Sequence, residues 1–365
     1  MSVFLLNKVC KYLSSQDMKV DYIIVGIGLA GISFCEQLKA CNKSFVVFDN
    51  ASQQSSTVAG GLYNPVVLKR FTSVWKSEEQ IDLALSLYEN IEERLSVKLD
   101  YKIPVYRKFA SLEEQNDWFT ASDKPRLAQY LSTKLVKNTN EAINAPFSFG
   151  EVLTTGRVDV KTLIETYKID LLKGGLLIES DFDYDVLDLE SDNAIVSYKH
   201  IETKHIVFAE GFGVTKNPFF KHLPMVPTKG ELLTILAPNL NMEVVLKAGV
   251  FLIPLGDDLY TVGATYDWHD TTHDVTDKAK KELLDKLEKV INCDFTVVNQ
   301  VAGIRPTVKD RRPLIGKHND YENLYVLNGL GTRGVMIGPY VAKALYEFIE
   351  FGTPLDSEID IIRFK

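Results

Sequence analysis

Apolar and polar positions alternate along this chain in two rhythms, one that fits strands and one that fits helices. Residues 22–25 are a short β-branched apolar run that breaks into Gly26, Gly28 and Gly31 and then into a helical spacing through Phe34, Leu38 and Cys41. A second apolar run over 45–48 ends in Asp49. The pattern predicts strand, glycine turn, helix and strand in immediate succession. Residues 77–95 place Ile81, Leu85, Tyr88, Ile91 and Leu95 on one helical face with acidic residues opposite, which predicts an amphipathic helix with a solvated charged side.

Downstream the pattern weakens into short strands, such as 103–109, and a helical piece over 112–119. A helix over 161–172 is closed by Gly174-Gly175. Strands are then expected at 176–179, 186–189, 194–198 and 205–209. Pro224 to Gly230 reads as punctuation, followed by strands at 231–236, 250–254 and 259–263 and a helix over 277–291. Near the end a strand at 324–327 breaks at Gly329, Gly331 and Gly334 into a helix expected to start near Pro339.

The first glycine turn carries specific chemistry. Gly26 permits a tight turn, Gly28 lets backbone approach a pyrophosphate, and Gly31 lets the helix pack on the strand, while the helix N-terminus offers amides and a dipole to the diphosphate. Asp49, 21 residues after Gly28, is placed to accept from two ribose hydroxyls and would repel a 2'-phosphate. The expected ligand is FAD or NAD. The loop after Asp49 is rich in small residues: Ser55 and Ser56 can donate to phosphate, and Gly60 and Gly61 leave room for a flat ring.

Bulk properties change the picture little. A chain of 365 residues has room for roughly two domains, and its composition is that of a globular protein. A net charge of -8 argues against a general nucleic-acid binder without excluding a local basic patch. Cys10, Cys35, Cys41 and Cys293 have no ligand or framework spacing, and His269 and His273, although four apart, sit among residues that favour a loop, so no metal site is expected. No apolar run approaches membrane-spanning length. Residues 1–18 read as an N-terminal extension rather than a secretion signal, and a cytoplasmic location is expected.

Five pieces in order now resemble the D-amino-acid oxidase family of FAD proteins, in its glycine oxidase and sarcosine oxidase branch. They are GIGLAG with Asp49, SSTVAGGL, GRVDVKTL, FAEG, and GIRPTVKDRRPLIG with GLGTRGVMIGP. The resemblance spans Asp21 to about Phe351. It implies an α/β fold: a Rossmann-like FAD-binding domain of the glutathione-reductase type (19–98, 151–224 and 302–365) and an α+β substrate-binding domain on an antiparallel sheet (99–150 and 225–301).

The resemblance further implies non-covalent FAD. Gly26, Ile27, Gly28, Leu29, Ala30, Gly31, Asp49 and Asn50 would hold the AMP half. Ser55 and Ser56 would reach the phosphates, and Gly60, Gly61 and Leu62 would lie beside the flavin. Val186 would meet adenine through its backbone, and Gly331, Thr332, Arg333, Gly334, Val335 and Met336 would bring amides to the flavin's pyrimidine edge. Arg305 matches the family's arginine for a substrate carboxylate, a role that suits a bidentate fork.

Phe251 stands where glycine oxidases have a pocket tyrosine, and Thr332, with Arg333 beside it, where they have a second arginine. Tyr63, Asn64, Lys69 and Tyr266 are further pocket candidates. The implied activity is oxidation of the C–N bond of a small amino acid or secondary amine by hydride transfer to flavin N5, with oxygen or another acceptor taking the electrons. The alternative is a tRNA-modifying oxidase that removes carboxymethyl from a wobble uridine. Lys69, Arg70, Lys309, Arg311 and Arg312 would then meet phosphates.

Overall fold

The computed structural model describes residues 17–192 and 195–364. The extension read over 1–18 thus lies almost wholly outside the described residues. The strand Met18–Val25, the helix Leu29–Ala40 and the strand Phe45–Phe48 form in the order the pattern predicts. They nucleate a sheet whose parallel strands run Leu177–Ile178, Phe45–Phe48, Met18–Val25, Ile201–Phe208 and Leu324–Asn328. The antiparallel strands Leu187–Asp192 and Ile195–Tyr198 lead into Ile201–Phe208, and Leu314–Lys317 pairs with Leu324–Asn328 at the other end.

Alternation along the first strand buries both faces, as a parallel sheet between two layers requires. Tyr22 and Ile24 join one core with Phe34, Leu38, Tyr88, Leu163 and Val341. Ile23 and Val25 join another with Phe48, Phe182, Tyr198 and Phe208. Each such fully buried aliphatic side chain contributes roughly 1.5–3 kcal/mol.

A second, seven-stranded sheet takes the order Thr296–Arg305, Thr228–Leu236, Leu259–Gly263, Phe251–Gly256, Val245–Lys247, Val105–Lys108 and Phe149–Val152. It is not wholly antiparallel, because Val245–Lys247 and Val105–Lys108 pair in parallel. The boundaries expected at 150/151 and 301/302 fall inside two of its strands. The helix Asp277–Leu287 covers one face with Leu283 and Leu287, ending earlier than the pattern suggested.

Two expectations fail because of contacts from distant parts of the chain. Gly230 does not end a turn. It lies inside Thr228–Leu236 opposite Gly303, and a Cβ there would stand 2.0 Å from Nη2 of Arg305. The last helix starts at Gly334 rather than near Pro339, so the proline sits inside it. Proline has no N–H to offer the carbonyl four residues back. Here that carbonyl, Val335 O, accepts from the Tyr88 hydroxyl at 2.8 Å in a buried setting. Tyr88→Phe should therefore lower stability by about 1–3 kcal/mol, the range for a buried acceptor left unpaired. Denaturant unfolding checks this, and an unchanged midpoint would refute the explanation.

Candidate active site

The two glycine-turn helices pack against each other through small residues. A Cβ at Gly334 would meet Leu29 Cδ1 at 2.9 Å, and one at Gly338 would meet Ser33 Oγ at 2.9 Å. Their N-termini, at Leu29 and Gly334, are consequently neighbours at one end of the sheet, and both dipoles present positive ends there.

At the first terminus Gly26 has φ +101°, and a Cβ at Gly31 would stand 2.0 Å from Gly26 O. By contrast, a Cβ at Gly28 would approach only Ser56, with Oγ at 3.1 Å, so the space above the turn is bounded by that hydroxyl. Ser56 Oγ accepts from the Leu29 amide at 3.2 Å, which leaves its own proton to donate to a phosphate. The cradle fits a diphosphate: amides, a dipole and a free hydroxyl proton converge on an open backbone. Ser55 differs, because its hydroxyl donates to the Ile304 carbonyl and ties the loop to the strand carrying Arg305.

Asp49 Oδ1 accepts from the Ile27 amide at 3.3 Å, while Oδ2 accepts from the Ala51 amide at 3.2 Å and from Lys168 Nζ at 2.6 Å. Lys168 lies in the helix Val160–Lys173, and nothing in the local sequence pointed to it. Asn50 Nδ2 donates to Asp181 Oδ1 at 2.5 Å. Val186 ends a short 3-10 turn, 43% exposed, and lines a groove of about 450 Å³ with Leu187, Phe219 and Tyr321.

Gly61 has φ +70°, and a Cβ on it would stand 1.9 Å from Val158 O, so only glycine fits. Gly60 packs on Ile253, where a Cβ would be 2.9 Å from Cδ1. Leu62 continues into a two-residue strand paired with Gly156–Val158. Tyr63, in the same strand, is not a pocket residue. It is buried, and its hydroxyl donates to Asp100 Oδ1 at 2.9 Å. At the second terminus the Gly331 amide donates to Pro306 O, Arg333 N to Leu330 O, and Met336 N to Arg333 O. Those three amides are used internally, which removes them from the set expected to meet a ligand.

The face of the seven-stranded sheet that meets Gly60 also carries the substrate candidates. Arg305 pairs with Thr228, and Leu232, Gly263, Phe251, Lys247 and Arg107 are register partners across successive strands. The Arg305 guanidinium rests over Gly230 with Nη1 3.2 Å from Thr265 O, and its Cζ is 4.6 Å from the Tyr266 ring centroid. Among the described residues it has no ion-pair partner, so it is not a salt bridge between layers. Burial pulls its pKa down, opposed by Tyr266.

Arg333 is in a similar state, its pKa lowered by burial and by Arg311 and Arg312, again opposed by Tyr266. Thr332 is exposed, and its neighbour Arg333 is the half-buried group near Tyr266. Lys69 is exposed on a turn and Asn64 bonds the Val66 amide through Oδ1.

Lys247 lies on the same face, in the strand next to Phe251. Its Nζ lies 4.1 Å from the Phe251 ring centroid, and burial, with Arg107 and Lys286 nearby, pushes its pKa down to about 8. The unfolded chain would hold that proton to about pH 10.4. Below pH 8 both states are charged and the folded state bears the full penalty, which fades as pH rises and is gone above about 10.4. Lys247→Met should thus raise stability at pH 7 by up to about 3 kcal/mol, with the gain shrinking towards pH 10. Denaturant melts at the two pH values check this, and an equal gain at both would contradict it.

Two adjacent helix termini over a glycine cradle and an acidic residue closing the second strand, beside a sheet that carries Arg305 and Lys247, fit an FAD-dependent oxidoreductase. The family model described as FAD dependent oxidoreductase (DAO) matches residues 21–348, and the chain belongs to that family. It is 22% identical over 363 residues to glycine oxidase of Bacillus subtilis (strain 168), covering 91% of this chain and 94% of that protein.

It is also 28% identical over 177 residues to the tRNA 5-methylaminomethyl-2-thiouridine biosynthesis bifunctional protein MnmC of Azoarcus sp. (strain BH72), where the match covers 43% of this chain and 28% of that protein. Among solved structures, glycine oxidase from Geobacillus kaustophilus shares the fold with a TM-score of 0.76 at 17% identity, covering 95% of this chain and 98% of that one. The protein is an FAD enzyme, oxidase or dehydrogenase. No described helix is long and apolar enough to cross a membrane, and no group of three His, Cys, Asp or Glu among the described residues could hold a metal.

Proposed function

We propose that this enzyme oxidises the C–N bond of a small amino acid or secondary amine that carries a carboxylate. The observation that carries the reading is Arg305, a half-buried guanidinium bonded to one carbonyl and without an acid partner among the described residues. A cation partly withdrawn from water and left unpaired is destabilising until an anion arrives. A substrate carboxylate supplies one, in the bidentate geometry a guanidinium favours.

FAD, when bound, supplies the two-electron acceptor. The chain's residues do the positioning: Arg305 and Arg333 hold the carboxylate end, Phe251 gives the pocket an apolar wall, and Tyr266 covers the guanidinium. Ser56 and the turn at Gly26, Ile27, Gly28, Leu29, Ala30 and Gly31 hold the diphosphate, and Asp49 the ribose. The amine loses hydride from carbon as its nitrogen lone pair forms C=N, and water then splits the imine into a carbonyl product and the freed amine. No paired acid and base are needed. The assignment of one sheet to the cofactor and the other to substrate is part of this proposal, as is a reducing, cytoplasmic setting, which suits free Cys35, Cys41 and Cys293.

Anaerobic mixing with sarcosine followed by trapping of the carbonyl product tests the reading. One carbonyl product and one amine per flavin reduced is expected, glyoxylate with methylamine or formaldehyde with glycine according to which C–N bond is oxidised, whereas reduction without either pair would overturn it. The tRNA reading keeps one specific support beside the partial MnmC match: Arg311 and Arg333 lie together without ion-pair partners among the described residues. Steep loss of tRNA binding with salt would favour it.

A further inference from the structure

Beside Arg305 lies an aromatic ledge. Tyr266 and Trp268 are 56% and 60% exposed, unusually high for such large rings. They alternate along an extended segment and so share a side, with ring centroids 6.4 Å apart and planes inclined by 28°. Tyr266 lies over the Arg305 guanidinium, which makes the ledge continuous with the carboxylate site.

The segment is not a loose loop. Its backbone is clamped to the sheet by reciprocal bonds, Lys229 N to Asp267 O at 2.8 Å and Asp267 N to Lys229 O at 2.9 Å. Lys229, 1% exposed, also reaches past it to Asp270 Oδ2 at 2.5 Å and Thr272 Oγ1 at 3.3 Å. Asp267 Oδ1 in turn accepts from the amides of His269 and Asp270. The fold thus fixes two large rings in water beside the reacting pocket. Arg333, electrostatically coupled to Tyr266, adds a cation at the same mouth.

We propose that Tyr266 and Trp268 are a stacking ledge for a flat π-ring carried on the substrate's amine substituent, so that preferred substrates are carboxylated amines ending in such a ring. The inference rests on the proposed C–N oxidation and names its substrate class. Arg305 takes the carboxylate, the pocket takes the amine carbon, and the nitrogen substituent runs outward along Tyr266 to Trp268. Offset stacking gives the ring a favourable partner on a clamped surface that loses little freedom on binding. Lys229 is a positioning residue for this ledge.

The test compares N-benzylglycine with sarcosine in the FAD-loaded full chain, using anaerobic flavin reduction and, separately, quenching of tryptophan fluorescence. The wild type should prefer the benzyl compound, and Trp268→Ala should cut the ratio of kcat/KM values by about 10- to 100-fold, the size of a lost stacking partner. Trp268→Phe should restore most of the ratio. Quenching by N-benzylglycine should be present in the wild type and absent in Trp268→Phe, because Trp118 is buried away from solvent and Trp75 is packed edge-on against Tyr340 with Arg312 over its ring.

An unchanged ratio in Trp268→Ala, with both compounds still reducing the flavin, would overturn the ledge while leaving C–N oxidation intact. Quenching lost with Trp268, but no flavin reduction by any amine, would keep the ledge and remove the reaction. The ring's source is read in a further arm. Competition by a uridine-rich RNA oligonucleotide that weakens steeply with salt assigns the ring to a base, and competition only by free aryl amines assigns it to a small molecule.

Discussion

Arg305→Ala should reduce kcat/KM for a carboxylated amine by about 10²- to 10⁴-fold while the purified protein keeps its FAD and its melting temperature, or melts slightly higher. The rate effect follows from removing a hydrogen-bonded charge pair made in a desolvated site, a loss of roughly 2–5 kcal/mol. The stability effect has the opposite sign from most buried deletions. Arg305 gives up only one hydrogen bond, to Thr265 O, and it is a half-buried cation whose pKa burial has lowered. Arg305→Lys should recover only part of the rate, because an ammonium cannot reproduce the planar fork and does not stack on Tyr266 in the same way. Stopped-flow flavin reduction and calorimetry read both arms. A large fall in melting temperature with little change in rate would make Arg305 a structural residue.

The second large effect concerns two glycines three positions apart. Gly31→Ala should leave little folded, FAD-loaded protein, because the new methyl would stand 2.0 Å from the Gly26 carbonyl oxygen and 3.0 Å from its carbon. Backbone on both sides of that contact belongs to the central strand turn and its helix, so neither can retreat cheaply. An overpacked site of this kind costs about 1–3 kcal/mol or more. Gly28→Ala should fold nearly normally, since its methyl meets only the Ser56 side chain at 3.1 Å. It should nevertheless weaken FAD binding by about tenfold or more, because the methyl occupies the space through which a diphosphate reaches the helix terminus. Apoprotein melting and FAD titration separate the two. Equal FAD affinity in Gly28→Ala and the wild type would place the diphosphate elsewhere.

What could be read from sequence and what could not divide along physical lines. The first strand, turn and helix were legible because each signal is local: an apolar run, three glycines with steric reasons, and a carboxylate at the end of the next strand. The last helix was misjudged by five residues because a proline usually marks a first turn, and the Tyr88 hydroxyl that lets it sit further inside comes from far away in the chain. Gly230 was read as a turn for a similar reason, since the guanidinium it accommodates arrives from residue 305.

Tyr63 and Asp181 show the same limit in the site. A tyrosine near a flavin loop suggests a pocket until Asp100 and Gly156 are seen packed against it. Asp181, which the fold sets beside Asn50, carried no sequence signal because its partner lies at the end of a different strand. Lys168 carried no signal at all, because its significance lies in which strand end comes to lie beside its helix.

The most direct test of the central claim is anaerobic titration of the FAD-loaded enzyme with glycine, sarcosine, proline, N-benzylglycine and D-amino acids, watching the flavin's visible absorption. The account predicts rapid bleaching by at least one carboxylated amine, none by the same amine without its carboxylate, and loss of the response in Arg305→Ala. Bleaching that ignores the carboxylate, or FAD that no carboxylated amine reduces, would contradict it.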